Sequence, residues 1–379
     1  MKIQQKKFSK TSGWETLRND EADGKKYNLV IVFGSTALLS DDCLYSGIQS
    51  VYPNATILIN STAGEILDTQ VNDETISLTA ILFEKTTLKV ASISIQDLKC
   101  SFKAGKDLGE QLDAENLKNV LVIADGQKVN GSDLVLGLQD SLKEEVIITG
   151  GLAGDGSRFE KTLIGLDETP KEGKVVAIGF YGEALSISYG SVGGYDSFGH
   201  ERLITRSSQN ILYELDNKPA LDIYKRYLGD YANDLPASGL LFPLSIRTGE
   251  NKNALVRTIL AVNEEEKSLT FAGNMPEGSY ARLMTANFDR IIEAAGTAAQ
   301  HSIKDKEREP DLALLISCVG RKLVLNQRIE EEVEVTRNIY GDKTAIAGFY
   351  SYGEIAPSFN HHKAELHNQT MTITTFTEQ

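Results

Sequence analysis

The sequence predicts an α/β protein of two modules, each built from repeated strand-helix-strand units whose strands form mixed sheets. Three observations carry that expectation. At 379 residues the chain exceeds one ordinary domain of about 100–200 residues. Short apolar runs of strand length alternate with helix-compatible stretches. One unit also recurs three times: an apolar strand (residues 29–33, 120–124 or 312–317), a polar loop, a helical stretch, and a second apolar strand (56–59, 146–149 or 344–347) that runs into a glycine followed by an acid. Gly64 follows Phe33 by 31 residues and Gly154 follows Ala124 by 30, the size of one such unit.

Taken in order, residues 1–27 form a polar segment around the lone Trp14, and the first module spans 28–217, opening at the buried strand 29–33. The second spans 218–365. It opens with a helix over 219–228: Pro219 suits a first turn, Leu221, Tyr224 and Leu228 recur at helical spacing, and Gly229 suits a left-handed cap. This helix is expected to pack the two modules together. A further helix over 287–301 gathers Phe288, Ile291, Ile292 and Ala295 on one face, and the charged stretch 304–309 with Pro310 ends it as a surface loop. Residues 366–379 read as a closing strand and tail, alternating over 368–376.

The three repeats end in STAGEI (61–66), GLAGDG (151–156) and SYGEI (351–355). Glycine permits a tight turn there, and the acid has a plain reading as a cap on the next element. Recurrence favours a second reading. In parallel units the carboxyl ends of strands share one edge, where loops gather and ligands bind. Glu65, Asp155 and Glu354 are therefore expected to line one or two related clefts, as groups able to hold an ammonium or hydroxyl.

Composition excludes several functions. With 53 acidic against 39 basic side chains, a net charge of -14 repels phosphate backbones and anionic lipid, so neither nucleic acid nor membrane is an expected partner. The apolar runs fall well short of the roughly 20 residues of a membrane helix, and MKIQQKKFSK lacks the apolar stretch of a signal peptide. Cys43, Cys100 and Cys318 lie far apart with no CxxC spacing, which points to a reducing, cytoplasmic setting. Gly151, Gly154 and Gly156 are spaced GxxGxG rather than GxGxxG, and no GxxxxGK[ST] loop occurs.

Among single residues, Cys318 in SCVGR admits a thiol-assisted hydrolase, against the plainer reading of a buried, inert cysteine with no neighbouring base. Arg321 is a candidate carboxylate clamp, since guanidinium pairs with planar anions. Tyr350 and Tyr352 should share one strand face and, with Gly353 and Glu354, wall a cleft near Arg321. His361 and His362 read as solvated, matching no zinc spacing. His367, at the start of a patterned strand, is either a hydrogen-bonded histidine or an axial haem ligand; His200 and His301 are weaker candidates.

Seven segments occurring in order, STAGEI, GGLAGDG, ELDNKPALDIYKRYLG, MPEG, SCVGR, GFYSYGEIAP and LHNQT, cover about residues 28–374. Together they resemble the signature of the FIST family (F-box and intracellular signal transduction proteins). The resemblance implies a small-molecule sensory role, often in front of a kinase, cyclase or chemotaxis output domain. No output domain is legible in this sequence, so output is expected through a partner such as a histidine kinase. The layout is similar to that of stand-alone family members that sense nitric oxide with haem. This makes haem on His367 the expected cofactor, with Arg321 toward its propionates and an amino acid as the alternative ligand. The ligand-binding set expected is Glu65, Asp155, Cys318, Arg321, Tyr350, Tyr352, Gly353, Glu354 and Asn368.

Overall fold

The computed structural model describes residues 1–20, 26–96, 100–249, 254–303, 308–358 and 363–379. Its centre is three mixed sheets, one for each sequence repeat. The strands Leu29–Gly34 and Leu312–Cys318 are buried at every residue. Covered on both faces, they read as continuous apolar runs rather than alternating ones.

Each sheet is built on one parallel pair: Leu29–Gly34 with Thr56–Ser61, Leu117–Ala124 with Ile147–Leu152, and Leu312–Cys318 with Ala345–Ser351. On the far side of each first strand lies an antiparallel strand of the same repeat: Ile76–Leu82, Lys174–Tyr181 or Met371–Glu378. The outer neighbour of each second strand comes from another repeat. Glu65–Leu67 pairs with Ala345–Ser351, Gly353–Pro357 with Ile147–Leu152, and Ile164–Leu166 with Thr56–Ser61. Each repeat thus hands the strand after its glycine turn to a neighbour, and three such exchanges close a cycle.

Helices cover the sheets unequally. In the second repeat Ser101–Leu112 and Gly131–Ser141 pack on each other, and in the third Phe288–His301 packs on Ile329–Tyr340. Among the described residues the first repeat has only the four-residue helix Thr36–Leu39 and Leu44–Val51.

A fourth sheet runs Leu255–Arg257, Leu244–Arg247, Tyr280–Thr285, Asp196–Ser208, Ile211–Leu215, Ser268–Phe271, Ile259–Asn263. It takes strands from both sides of residue 218. The helix expected to join the modules is Ala220–Leu228, and its Ala220, Leu221, Ile223, Tyr224 and Leu228 pack in this sheet's core with Ile204, Leu212 and Leu215 from before residue 218 and Leu244 and Phe271 from after it. Tyr224 donates to the Phe242 carbonyl at 2.6 Å.

The polar start differs from expectation. Lys2–Ser9 and Gly13–Asn19 form a hairpin that extends the first sheet beyond Ile76–Leu82. Only alternate residues near its start are covered, Ile3 and Gln5, so the hairpin reads as polar. Helix 287–301 is found as Phe288–His301, capped by Asn287. Residues 304–307, His361 and His362 lie outside the described residues. Among the described residues no helix is long and apolar enough to cross a membrane.

Candidate functional site

The three glycine turns meet through a ring of backbone hydrogen bonds. Ala63 N–H donates to Tyr350 O (2.8 Å), Tyr352 N–H to Leu152 O (3.1 Å), and Gly154 N–H to Ser61 O (3.0 Å). The ring makes Ala63, Gly154 and Tyr352 equivalent, and it therefore places Glu65 and Glu354 opposite Gly156 rather than Asp155. The second acid is offset by one residue.

That offset separates the acids by role. Glu65 Oε1 accepts from Thr62 Oγ1 (2.6 Å), and its Oε2 from Thr75 Oγ1 (2.6 Å) and N–H (3.3 Å). Glu354 repeats the pattern with Ser351 Oγ (2.6 Å) and with Thr370 Oγ1 (2.9 Å) and N–H (3.3 Å). Asp155 instead accepts from the N–H groups of Phe159, Glu160 and Lys161, folding the following loop, and from the Tyr352 hydroxyl. Burial pushes the Glu65 carboxyl up to about 7 and Glu354 to about 8 against the donors that stabilise the charged form.

Of the three acids, Glu65 lines a cleft. Its volume is about 580 Å³, and residues from all three repeats line it: Ser35, Glu65, Asp73 and Glu74 from the first, Gly156 and Arg158 from the second, Lys322 and Asn326 from the third. Lys322 Nζ donates to Ala63 O at 2.9 Å, pairs with Asp73, and lies 5.6 Å from the Tyr350 ring centre. Arg158 makes only 3.8 Å contacts, to Glu74 and Asp155. Ser35, 5% exposed, has an Oγ with no partner among the described residues. A buried hydroxyl left unpaired costs free energy unless something else completes its bonding. Opposite charges and an unfilled hydroxyl suit a small polar molecule with both an ammonium and a carboxylate.

The other expected residues are brought close but turned inward. Arg321 is fully buried: Nε and Nη2 reach Glu332 Oε2 at 2.9 and 2.8 Å, Nη1 the Gly193 carbonyl and Nη2 that of Ile291. It clamps Glu332 of the protein, and its neighbour in sequence, Lys322, lines the cleft instead, together with Arg158. Tyr350 donates to Glu332 Oε1 at 2.7 Å, while Tyr352 turns to Asp155 and stacks on Phe159. The two rings do not form one wall, because the strand ends at Ser351 and a bend at Tyr352 breaks the alternation. Cys318 is buried, and desolvation pushes its thiol far above the usual range, which removes the nucleophilic thiolate. Gly353 is packed against Leu152 and Leu366. Asn368 is fully buried, its amide oxygen and nitrogen both without partners among the described residues.

Sequence reasoning missed Ser35, Thr75, Arg158 and Lys322. One signal was present: Thr62 and Ser351 stand three residues before Glu65 and Glu354, the spacing of a local hydroxyl-carboxylate bond. The cleft's cations come from other repeats and leave no local mark.

The FIST N domain model matches residues 28–218, and the FIST C domain model residues 220–357. The chain belongs to the FIST family. The two models meet beside residue 218, where the sequence boundary was expected, although the fourth sheet spans it. A curated relative, an uncharacterized protein of Methanocaldococcus jannaschii, is 25% identical over 200 residues, covering 48% of this chain and 37% of the relative's length. Among solved structures, a cyanuric acid hydrolase from A. caulinodans aligns over 94% of this chain and 92% of its own at 8% identity, with a TM-score of 0.36, too distant to carry an argument. FIST domains imply a sensory, small-molecule-binding role in signal transduction.

The haem candidates of this FIST protein lie in three different surroundings. His367, 6% exposed, has Nε2 2.9 Å from the Ala356 carbonyl; since a carbonyl only accepts, Nε2 carries the proton. Burial holds the imidazole pKa below its usual value, so the ring is neutral. A haem needs an open face beside its axial ligand and free cations for its propionates. Buried His367 and internally paired Arg321 do not fit that need. His200 is exposed on Asp196–Ser208, and His301 ends a helix. Among the described residues no cluster of three or more His, Cys, Asp or Glu could hold a metal.

Proposed function

We propose that this FIST protein senses a small zwitterionic metabolite of the amino-acid type in the Glu65 cleft and passes the bound state to a signalling partner such as a histidine kinase. The observation that carries the reading is the lining itself. The Ser35 hydroxyl, without a partner among the described residues, and buried Glu65 face the same space as Lys322 and Arg158. Acidic groups there suit a ligand ammonium, and the cations suit its carboxylate. Because Ser35, Arg158 and Lys322 belong to three different repeats, a ligand touching all three favours the arrangement in which they converge, the condition for shifting a conformational equilibrium.

A thermal-shift screen of the full chain with the free amino acids tests this. At least one should raise the melting temperature, and Arg158→Gln, at a half-exposed residue, should weaken that ligand about tenfold while the unliganded protein melts as before. No stabilisation by any amino acid, together with a sharp Soret band after haem reconstitution that moves when nitric oxide is added, would replace this reading with the haem-based one.

A further inference from the structure

Among its described residues the first repeat lacks an element that the other two possess. In the second, Ser101–Leu112 packs against Gly131–Ser141 and the strands Thr87–Ser94 and Lys174–Tyr181. In the third, Phe288–His301 packs against Ile329–Tyr340, Leu185–Val192 and Met371–Glu378. The corresponding elements of the first repeat are Leu44–Val51, Lys2–Ser9 and Ile76–Leu82. The described residues put no helix on them: after Lys2–Ser9 this repeat has the hairpin strand Gly13–Asn19 instead.

An apolar groove of about 510 Å³ lies where the helix would be. Its floor includes Phe8, Leu44, Ile48, Val51, Ile76 and Leu78, drawn from those same three elements. Gly47 follows Gly34 by 13 residues, as Gly137 follows Ala124, and the two strand ends correspond because Gly34 pairs with Ile76 and Ala124 with Val175. A Cβ on Gly137 would come 2.0 Å from the Phe102 carbonyl of its partner helix; one on Gly47 meets nothing within 4 Å. The contact glycine is present and the helix it would contact is not. Lys6, Lys10 and Asp41 also line it, two cations against one acid, in a chain of net charge -14.

We propose that this groove receives one amphipathic α-helix from a partner protein, with small residues facing Gly47, leucines on the floor and acidic residues on its flanks. The helix Ser101–Leu112 shows the face required: it buries Ser101, Ala104, Gly105, Leu108, Gly109 and Leu112. The acidic flank follows from Lys6 and Lys10, and such complementarity acts mainly on partner choice and association rate. The groove also adjoins the ligand cleft. Ser35 lines the cleft and Ala37 and Leu38 the groove, while Thr75 holds Glu65 and Ile76 lines the groove. The inference goes beyond the ligand reading and does not depend on it.

The test uses the full chain and a labelled helical peptide with no tryptophan, carrying Ala, Gly and Leu at the Ser101–Leu112 spacing and glutamates on both flanks. A twin peptide carries lysines there. Trp14, the only tryptophan, lines the groove and reports occupancy by a blue shift. The glutamate peptide should bind with that shift, and the lysine twin at least about tenfold more weakly. Gly47→Arg should block binding without lowering the melting temperature, since the added side chain enters open space and arginine favours helix over glycine. Lys6→Glu with Lys10→Glu should invert the preference between the peptides. Failure of the glutamate peptide to bind, equal binding of the twins, or unchanged affinity in Gly47→Arg would overturn the proposal. So would a dimer that Gly47→Arg dissociates, because the occupant would then be a second copy of this chain.

Discussion

At the first glycine turn Asp73 and Glu74 stand exposed on an open cleft; at the third, Asn368 and Gln369 hold the corresponding places and are completely buried. Backbone geometry confirms the correspondence. Glu74 and Gln369 both take left-handed φ values, 55° and 58°, just before the threonine that bonds the buried glutamate. What differs lies far away in sequence. Tyr195 donates to Gln369 Oε1 at 2.8 Å, and Tyr195, Met284, Ile291, Val324 and Leu325 form one apolar cluster beside it, partly from the fourth-sheet region. The same wiring borders a cleft where it is left open and forms a closed hydrogen-bonded knot where the fourth-sheet region covers it.

The comparison breaks most visibly at the adjacent cations. Arg321→Met removes one member of a fully buried pair and leaves Glu332 uncompensated, an expected loss of about 3–5 kcal/mol in chemical denaturation. Lys322→Met, against exposed Asp73, should cost about 1 kcal/mol or less. Equal losses would mean that the two turns are alike after all.

A smaller difference is expected at the threonines. Thr370→Val removes a 2.9 Å donor from Glu354, which is wholly buried, and should cost about 1–3 kcal/mol. Thr75→Val removes the matching donor from Glu65 and should cost less, because cleft water can take its place. Urea midpoints of the two variants check the order, and a larger loss for Thr75→Val would contradict it.

The smallest effect is common to both turns. Both carboxyls titrate higher in the folded chain than the ordinary 4.5, at about 7 and about 8. Between those limits the folded state keeps protons that the unfolded state has released, so stability is fullest below pH 4.5 and falls as pH rises through the folded values. From pH 6 to 7 each group should remove about 1 kcal/mol, read from denaturation midpoints at the two pH values. An amino-acid ligand that engages Glu65 as a carboxylate should reduce the slope by the Glu65 share only. A ligand that abolishes the whole slope would have to reach Glu354 as well.

Much of the fold was legible. The three strand pairs, the glycine turns and the helices at 220–228 and 288–301 follow from apolar runs and capping residues near the expected positions. The site was half legible. Glu65 and Glu354 stood out by recurrence, and Asp155 with them, although a one-residue offset gives Asp155 another task. Arg321 looked like a clamp because a guanidinium in a loop after a strand fits one, but Glu332, two helical elements away, satisfies it. Ser35, Arg158 and Lys322 escaped notice because each reads as an ordinary residue until three repeats converge.

The sequence by itself determined the repeat, the strands buried on both faces, the turns at Gly64, Gly154 and Gly353, and membership of the FIST family, since periodicity and turn chemistry act over a few residues. Tertiary structure decided which turn stays open, which cation faces the cleft, and that the first repeat presents a groove where the other two bury a helix. These are matters of burial. Whether a side chain meets water or another module depends on chain segments hundreds of residues apart, and no local pattern records that distance.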